Sequence, residues 1–198
     1  SCRAVGIPPS AGHRELAVAI WRGPVGQMEG FKAAVKSVAI RIPAFRKGGD
    51  RHWPGEGYTR GEIAPDTAAF VADILTLPVP NPWKRNVRVI DMAFLDNTTA
   101  VVSTFEGDLW VVKGVGGNLR RMSWKRFASG LYEPMSVEVH DGNIYVFGKE
   151  GIVRLHDLNG DGEADYYENF CDLMQEPPES YAWAADMVFS EKDSSFII

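Results

Sequence analysis

The second half of the chain repeats itself. Aligning VRVIDMAF, TAVVST, DLWVVKGV and LRRMSWKRF with MSVEV, NIYVF, GIVRLH and ADYYENF sets Met92 over Met135 and Ala100-Val101-Val102 over Ile144-Tyr145-Val146. The same alignment sets Leu109-Trp110-Val111 over Ile152-Val153-Arg154, at offsets of 43 or 44 residues. Each set holds four short alternating runs separated by turn residues. A four-stranded sheet that is apolar on both faces needs a neighbour on each side, and four strands per ~40 to 50 residues is the sequence signature of β-propeller blades. A third set begins with AADMVF at 184–189 and stops at SSFII. The expected fold is mainly β, a partial β-propeller of two four-stranded blades plus the start of a third, preceded by a small α/β segment. A propeller needs at least about four blades around its channel, so the chain reads as a fragment of a longer protein, the alternative being an open arc whose last apolar strand needs a partner.

Ahead of the repeat the pattern differs. Residues 1–45 read as the tail of a preceding domain, with a strand at RELAVAIWR (14–22) and a helix at QMEGFKAAVKSVA (27–39). In that helix Met28, Phe31, Val35 and Val38 fall on one side and Lys32 and Lys36 on the other. Residues 46–85 are rich in Pro and Gly and read as a connector in which only 68–77 is ordered. Trp53, Phe70 and Trp83 are expected to pack it on a surface. Residues 86–198 hold the partial propeller.

The second repeat carries a distinct loop. Asp157, Asn159, Asp161, Gly162 and Glu168 match the pattern D-x-[DN]-x-[DN]-G-x5-E, with Asp165 at the ninth position. A hard divalent cation takes six to eight oxygens at about 2.3–2.6 Å, alternate side chains of a curling loop can point inward together, and the glycine permits the sharp turn. The expected ligands of a calcium ion are therefore Asp157, Asn159, Asp161, Asp165 and Glu168, with Glu163 offering its main-chain carbonyl. The flanking IVRLH and YYENF alternate as strands, so the loop is expected to join the last two strands of a blade, with His156 a strand residue beside it. Without an ion, carboxylates this close repel one another.

Other chemistries are weakly encoded. A formal net charge of −5 argues against a nucleic-acid surface, and the run Arg120 to Arg126 reads as a strand with a solvated cationic face. No apolar stretch approaches the ~18–20 residues that span a bilayer, and no secretory leader pattern opens the sequence. Cys2 and Cys171 form no metal or haem motif and leave one disulfide open. His13, His52, His140 and His156 lack metal-ligand spacing, and GVGGN at 114–118 reads as a turn. Trp110 and Trp124 are expected in the core, with a sugar subsite as the other use of such residues. Asp91 and Glu133, near the starts of the blades, are the carboxylates placed where a channel-mouth site would lie.

KGGDRHWPG, DILTLPVPNPWK, FEGDLWVVKGV and LRRMSWKRFASGLYEPMSVEVHDGNIYVFGKEGIVRLHDLNGDGEADYYENF together resemble a family of large secreted bacterial proteins. These are the membrane-bound dehydrogenase-like or glucose/sorbosone dehydrogenase-like β-propeller proteins of planctomycete type. The resemblance runs from about residue 15 to the end and is closest over 105–170. It implies a six-bladed propeller in the full protein, secretion or a periplasmic location, and the remaining blades as partners of this segment. It also implies pyrroloquinoline quinone as cofactor and a sugar or polysaccharide as substrate. The family pattern opens the next blade with a His-Glu pair. Here the corresponding stretch, SYAWAADMVF, has no histidine, so no catalytic residue is assigned and the segment is expected to be non-catalytic by itself. The alternative is a carbohydrate- or protein-binding propeller without chemistry.

Overall fold

The structure, a computed structural model, describes residues 18–37, 47–173 and 185–198. The chain divides into two compact units, Ser1–Lys47 and Gly48–Ile198.

In the first unit a 3-10 turn at Val25–Gln27 leads into helix α1, Met28–Ser37. Glu29 in its first turn and Lys36 in its last complement the helix dipole, and Lys32 bonds Glu29 at 2.7 Å. Trp21 stacks on Phe31 with ring centroids 5.4 Å apart. The strand expected at 14–22 is not seen where the structure can test it: residues 18–22 have no regular structure, while 14–17 lie outside the described residues. So do residues 38 and 39 of the expected helix, and Cys2 and His13.

The second unit is built from antiparallel sheets. In chain order its strands are β1 (Gly57–Thr59), β2 (Gly61–Glu62), β3 (Ile74–Leu75), β4 (Val89–Asp96), β5 (Thr99–Thr104), β6 (Leu109–Lys113) and β7 (Met122–Ala128). There follow β8 (Ser136–His140), β9 (Asn143–Gly148), β10 (Gly151–His156), β11 (Tyr166–Cys171), β12 (Val188–Ser190) and β13 (Ser195–Ile197). Strands β4 to β7 form a meander in sequence order, extended by β1 beside β7, and β8 to β11 form a second meander. Strands β12 and β13 pair as a hairpin, as do β2 and β3.

The two meanders share strand order and pairing, but one alignment needs correcting. Val102 pairs with Trp110 and Val101 with Val111, as Val146 pairs with Val153 and Tyr145 with Arg154. These are the partners the repeat alignment brings together. In the first strands, however, Met92 pairs with Val102 while Val137 pairs with Val146, so Met92 corresponds to Val137 and not to Met135. The register shifts between Phe94 and Asp96, and this bulge lengthens β4 by a residue that pattern matching does not see.

The sheets stack front on back. Val101 and Leu109, on the front of the first sheet, pack with Val137, Val146 and Val153 on the back of the second. The repeat partners of Val101 and Leu109, namely Tyr145 and Ile152, lie on the front of the second sheet with Met187, and Phe196 of β13 packs against them. On the back of the first sheet Val102, Trp110, Met122 and Trp124 bury against Leu75 and Trp83. Each repeated position thus looks the same way along the stack. First strands lie next to one another, β4 against β8 and β8 against β12.

Several expectations change at the edges. The segment read as a connector supplies β1, which pairs Gly57 with Trp124, and Trp83 meets Trp110 edge to face at 5.4 Å. Of 68–77 only Ile74–Leu75 is strand, and Phe70, expected to anchor the segment, is 95% exposed. Arg126, read as part of a solvated cationic face, is buried. A strand that carries a fifth partner and a packed neighbour has no free face for it, and Asp108 supplies its counter-charge. Trp110 and Trp124 are core residues as expected, and Gly114 to Asn118 form the turn between β6 and β7. No helix among the described residues is long and apolar enough to cross a membrane.

Candidate metal-binding loop

The loop from Asp157 to Asp165 joins β10 to β11, the third and fourth strands of the second sheet. Both ends are tied. Asp165 N–H donates to the His156 carbonyl at 2.8 Å, and its carboxylate accepts from Leu158 N–H, also at 2.8 Å. Gly160 and Gly162, at φ of 75° and 85°, supply the left-handed turns that curl the chain. Asp157 accepts from the backbone N–H groups of Gly160, Asp161 and Gly162 at 2.7, 3.1 and 2.8 Å. Asn159 Oδ1 accepts from Asp161 N–H at 2.9 Å, and Asp161 Oδ1 from Glu163 N–H at 2.9 Å.

A strap from the start of the unit closes over this loop. Gly49 N–H donates to Asp165 Oδ1 at 2.7 Å, and Asn159 Nδ2 donates back to the Gly49 carbonyl at 2.8 Å. Gly48 sits at φ 77°, where a Cβ would fall 2.5 Å from Asp165 Oδ2, so only glycine fits. Glu163 turns inward, 4% exposed, and its carboxylate accepts from His52 N–H at 2.7 Å and Trp53 N–H at 3.1 Å. Arg51 and Lys125 both donate to the Asp161 carbonyl. Burial pushes the Lys125 ammonium below its ordinary value, helped by the Arg51 charge and opposed by Asp161, Glu163 and Asp157.

The strap is fixed in turn to the first sheet. The Trp53 ring lies over the Arg126 guanidinium at 4.4 Å. Arg126 Nη2 bonds Asp108 Oδ1 at 2.6 Å, and Arg85 Nε bonds Asp108 Oδ2 at 2.6 Å, so the fully buried carboxylate of Asp108 holds two guanidinium groups. Tyr167, on β11, reaches the same corner, its hydroxyl donating to the Ser129 carbonyl at 3.1 Å. Burial pushes that phenol up, with the Ser129 backbone and Arg126 opposing.

Of the expected ligands, the structure brings Asp157, Asn159, Asp161 and Asp165 into one hydrogen-bonded loop. Glu163 spends its side chain on the strap and leaves its main-chain carbonyl. Glu168 stands apart on β11, with Oε2 2.7 Å from His156 Nε2 and 3.9 Å from Arg154 Nη1. Among the described residues no group of His, Cys, Asp or Glu forms a ready metal cage, because the loop carboxylates lean on amides. The donor set nonetheless suits a hard cation. An ionised carboxylate has about four acceptor sites, and the amides named above leave one or more open on each aspartate. Arg51, Lys125 and the strap escaped sequence reading. The only trace was the glycine pair in KGGDRHWPG, which looks like any turn.

Asp91 and Glu133 are not brought together. Asp91 Oδ2 accepts from Ser136 Oγ at 3.0 Å and Val137 N–H at 2.8 Å, and Ser136 Oγ accepts from Met187 N–H at 3.1 Å. This series ties β4 to β8 and β8 to the residue preceding β12. Glu138, one step along β8, is pushed up by burial, opposed by the Phe189 backbone and reinforced by the Asp91 charge. Glu133 pairs with Lys149 at 3.0 Å. No protein-family pattern, curated protein or solved structure matches the chain.

Proposed function

We propose that this chain is a calcium-stabilised part of a β-propeller from a secreted, quinone-type sugar dehydrogenase-like protein, serving as scaffold and not as catalyst. The direction of stacking carries the propeller reading. A sandwich turns like faces toward each other, whereas blades stack front on back with their first strands side by side around an axis. Val101 and Tyr145, equivalent in the repeat, both look forward, and Asp91, Ser136 and Met187 link successive first strands. The dehydrogenase family, export and a quinone rest on the resemblance of the quoted segments alone.

Calcium would be held by side-chain oxygens of Asp157, Asn159, Asp161 and Asp165 and by the Glu163 carbonyl. When bound, it supplies charge neutralisation to a loop that otherwise crowds carboxylates. A thermal melt with calcium, then with chelator, tests this: a rise lost in Asp157→Ala and Asp161→Ala supports it, and a folded chain indifferent to calcium removes it. A second reading has its own observation. Arg51 and Lys125 meet at the Asp161 carbonyl and already bring two positive charges to the loop, so it would serve as a metal-free buckle. On that reading Lys125→Met lowers the melting temperature and calcium does nothing. Quinone binding with dye-coupled sugar oxidation by the full protein, set against glycan binding without oxidation, separates the enzyme reading from the binding-module alternative.

A further inference from the structure

The front of the first sheet ends in a corner of positive charge. Lys113 on β6 stands opposite Ser123 on β7, and Lys125, two residues further along β7, stands opposite Val111. Long side chains at such diagonal positions of one face reach each other. Arg51 comes from the strap and meets Lys125 at the Asp161 carbonyl, which both bond. Among the described residues none of these three cations forms an ion pair with a carboxylate. All three line one cavity of about 550 Å³, together with the apolar Leu95, Val111 and Phe127. The carboxylates of that cavity are already engaged. Asp96 accepts from Thr98 N–H at 2.7 Å, Asp161 from Glu163 N–H at 2.9 Å, and Glu56 from the Tyr58 hydroxyl at 2.8 Å.

The second repeat shows what the first lacks. Val111 pairs with Val101 as Arg154 pairs with Tyr145, so Lys113 corresponds to His156, and Lys125, opposite Val111, corresponds to Glu168, opposite Arg154. In the second sheet Glu168 lies 2.7 Å from His156 and 3.9 Å from Arg154. The second sheet carries its own anion where the first carries another cation. We propose that this corner binds a phosphate group, free or borne by a small organic molecule, between Lys113, Lys125 and Arg51. Three donors from three elements suit a tetrahedral dianion, whose outer oxygens face several ways, better than a planar carboxylate. Leu95, Val111 and Phe127 give an organic body an apolar surface to lie on. The inference goes beyond the propeller reading and needs no calcium. The cations touch the Asp161 carbonyl, whereas calcium would take the Asp161 carboxylate.

Titration calorimetry at low salt, on the full chain freed of calcium by a chelating resin, tests it with inorganic phosphate, phenyl phosphate and benzoate. Both phosphates are expected to bind with dissociation constants below about 1 mM, and benzoate about tenfold more weakly or not at all. Tighter binding of phenyl phosphate than of inorganic phosphate identifies an ester as the ligand, and equal binding the free ion; both support the site. Lys113 is exposed and bonds nothing among the described residues, so Lys113→Gln should leave the melting temperature unchanged. It should weaken phosphate about tenfold, the loss of one charge-assisted bond. Lys125→Glu places a carboxylate where the second sheet has Glu168 and should abolish binding. Circular dichroism verifies that this variant folds, and Arg51→Gln replaces it if it melts early. A wild-type chain that binds neither phosphate, benzoate that binds as tightly as phenyl phosphate, or affinity undiminished in Lys113→Gln each overturns the proposal. A melting temperature indifferent to calcium would leave these titrations unchanged, so the two readings fail separately.

Discussion

The connections at the same point of the two repeats differ sharply. Between β6 and β7 the first sheet has a glycine-rich turn, Gly114 to Arg121, and its outer strand β7 is covered by β1 and largely buried. Between β10 and β11 the second sheet has the acidic loop, and its outer strand β11 has no buried residue. One topology is thus finished in two ways. The first sheet ends on an added strand and a buried ion triad, the second on a curled polar loop that borrows a strap. The lesson is that a repeat fixes the inner strands, where neighbours must fit, and leaves the outer margin to local chemistry.

The largest effect is expected where the first sheet depends on buried charge. Asp108→Ala leaves Arg126 buried without its counter-charge, and breaking such a pair costs about 3–5 kcal/mol. Urea unfolding should show the loss, and Asp108→Asn should recover part of it by keeping one acceptor oxygen for the buried Arg126. A loss below about 1 kcal/mol would mean that the triad is only a surface pair, and the contrast between the two margins would fade.

Next comes the acidic loop. With calcium at about 100 times its dissociation constant, mass action adds ~2.7 kcal/mol to the folded state. The melting temperature should rise by several degrees in the wild type and not in Asp157→Ala. Glu168→Gln should keep the full response, since Glu168 bonds His156 and lies outside the loop. A response that needs Glu168 would return that residue to the ligand set.

Smaller again is the strap. Glu163→Ala removes the acceptor of the His52 and Trp53 amides, a loss of about 1.5–3 kcal/mol for bonds to a charged group. Amide exchange at His52 and Trp53 should quicken while that of β5, buried throughout, stays slow. Uniform quickening would show that strap and sheets open as one unit and that the margins are not independent.

How much of this was readable follows the same division. Strands β4 to β11 were legible because each alternates or runs apolar between turn residues, and the pairing of Val102 with Trp110 and Val146 with Val153 followed from the repeat alone. One residue of the two-residue slip of Met92 was not legible, because a bulge leaves no mark in hydrophobic alternation, and the other came from matching one methionine to another instead of keeping the 44-residue offset of the second strands. In the loop, Asp157 to Asp165 stood out by spacing and lie together. Arg51 and Lys125 did not, because they reach the loop from 110 and 36 residues away and pattern reading sees only local order. Strand β1 was missed for a related reason: GYT is too short to show a period, and its place is set by pairing with β7.

The smallest effect concerns pH, and it again sits at a margin of the second sheet. Glu150, in the turn between β9 and β10, accepts from Tyr132 N–H at 3.1 Å with both carboxylate oxygens. Burial outweighs these bonds and pushes its carboxyl above the ordinary 4.5. Between 4.5 and that raised value the folded chain binds more protons at Glu150 than the unfolded chain does. Stability must therefore fall as pH rises through this window, since its slope with pH has the sign of protons bound unfolded minus protons bound folded. Glu150→Gln removes the titration while keeping an acceptor for Tyr132, so its stability should lack that descending step. The comparison is a difference between two unfolding curves taken across the acid range, in which the aspartates of the loop contribute to both and cancel. An unchanged step in the variant would assign the descent to Glu138, the other carboxylate of the second sheet that burial holds up, and would move the pH-sensitive point from the outer turn to the inner strand β8.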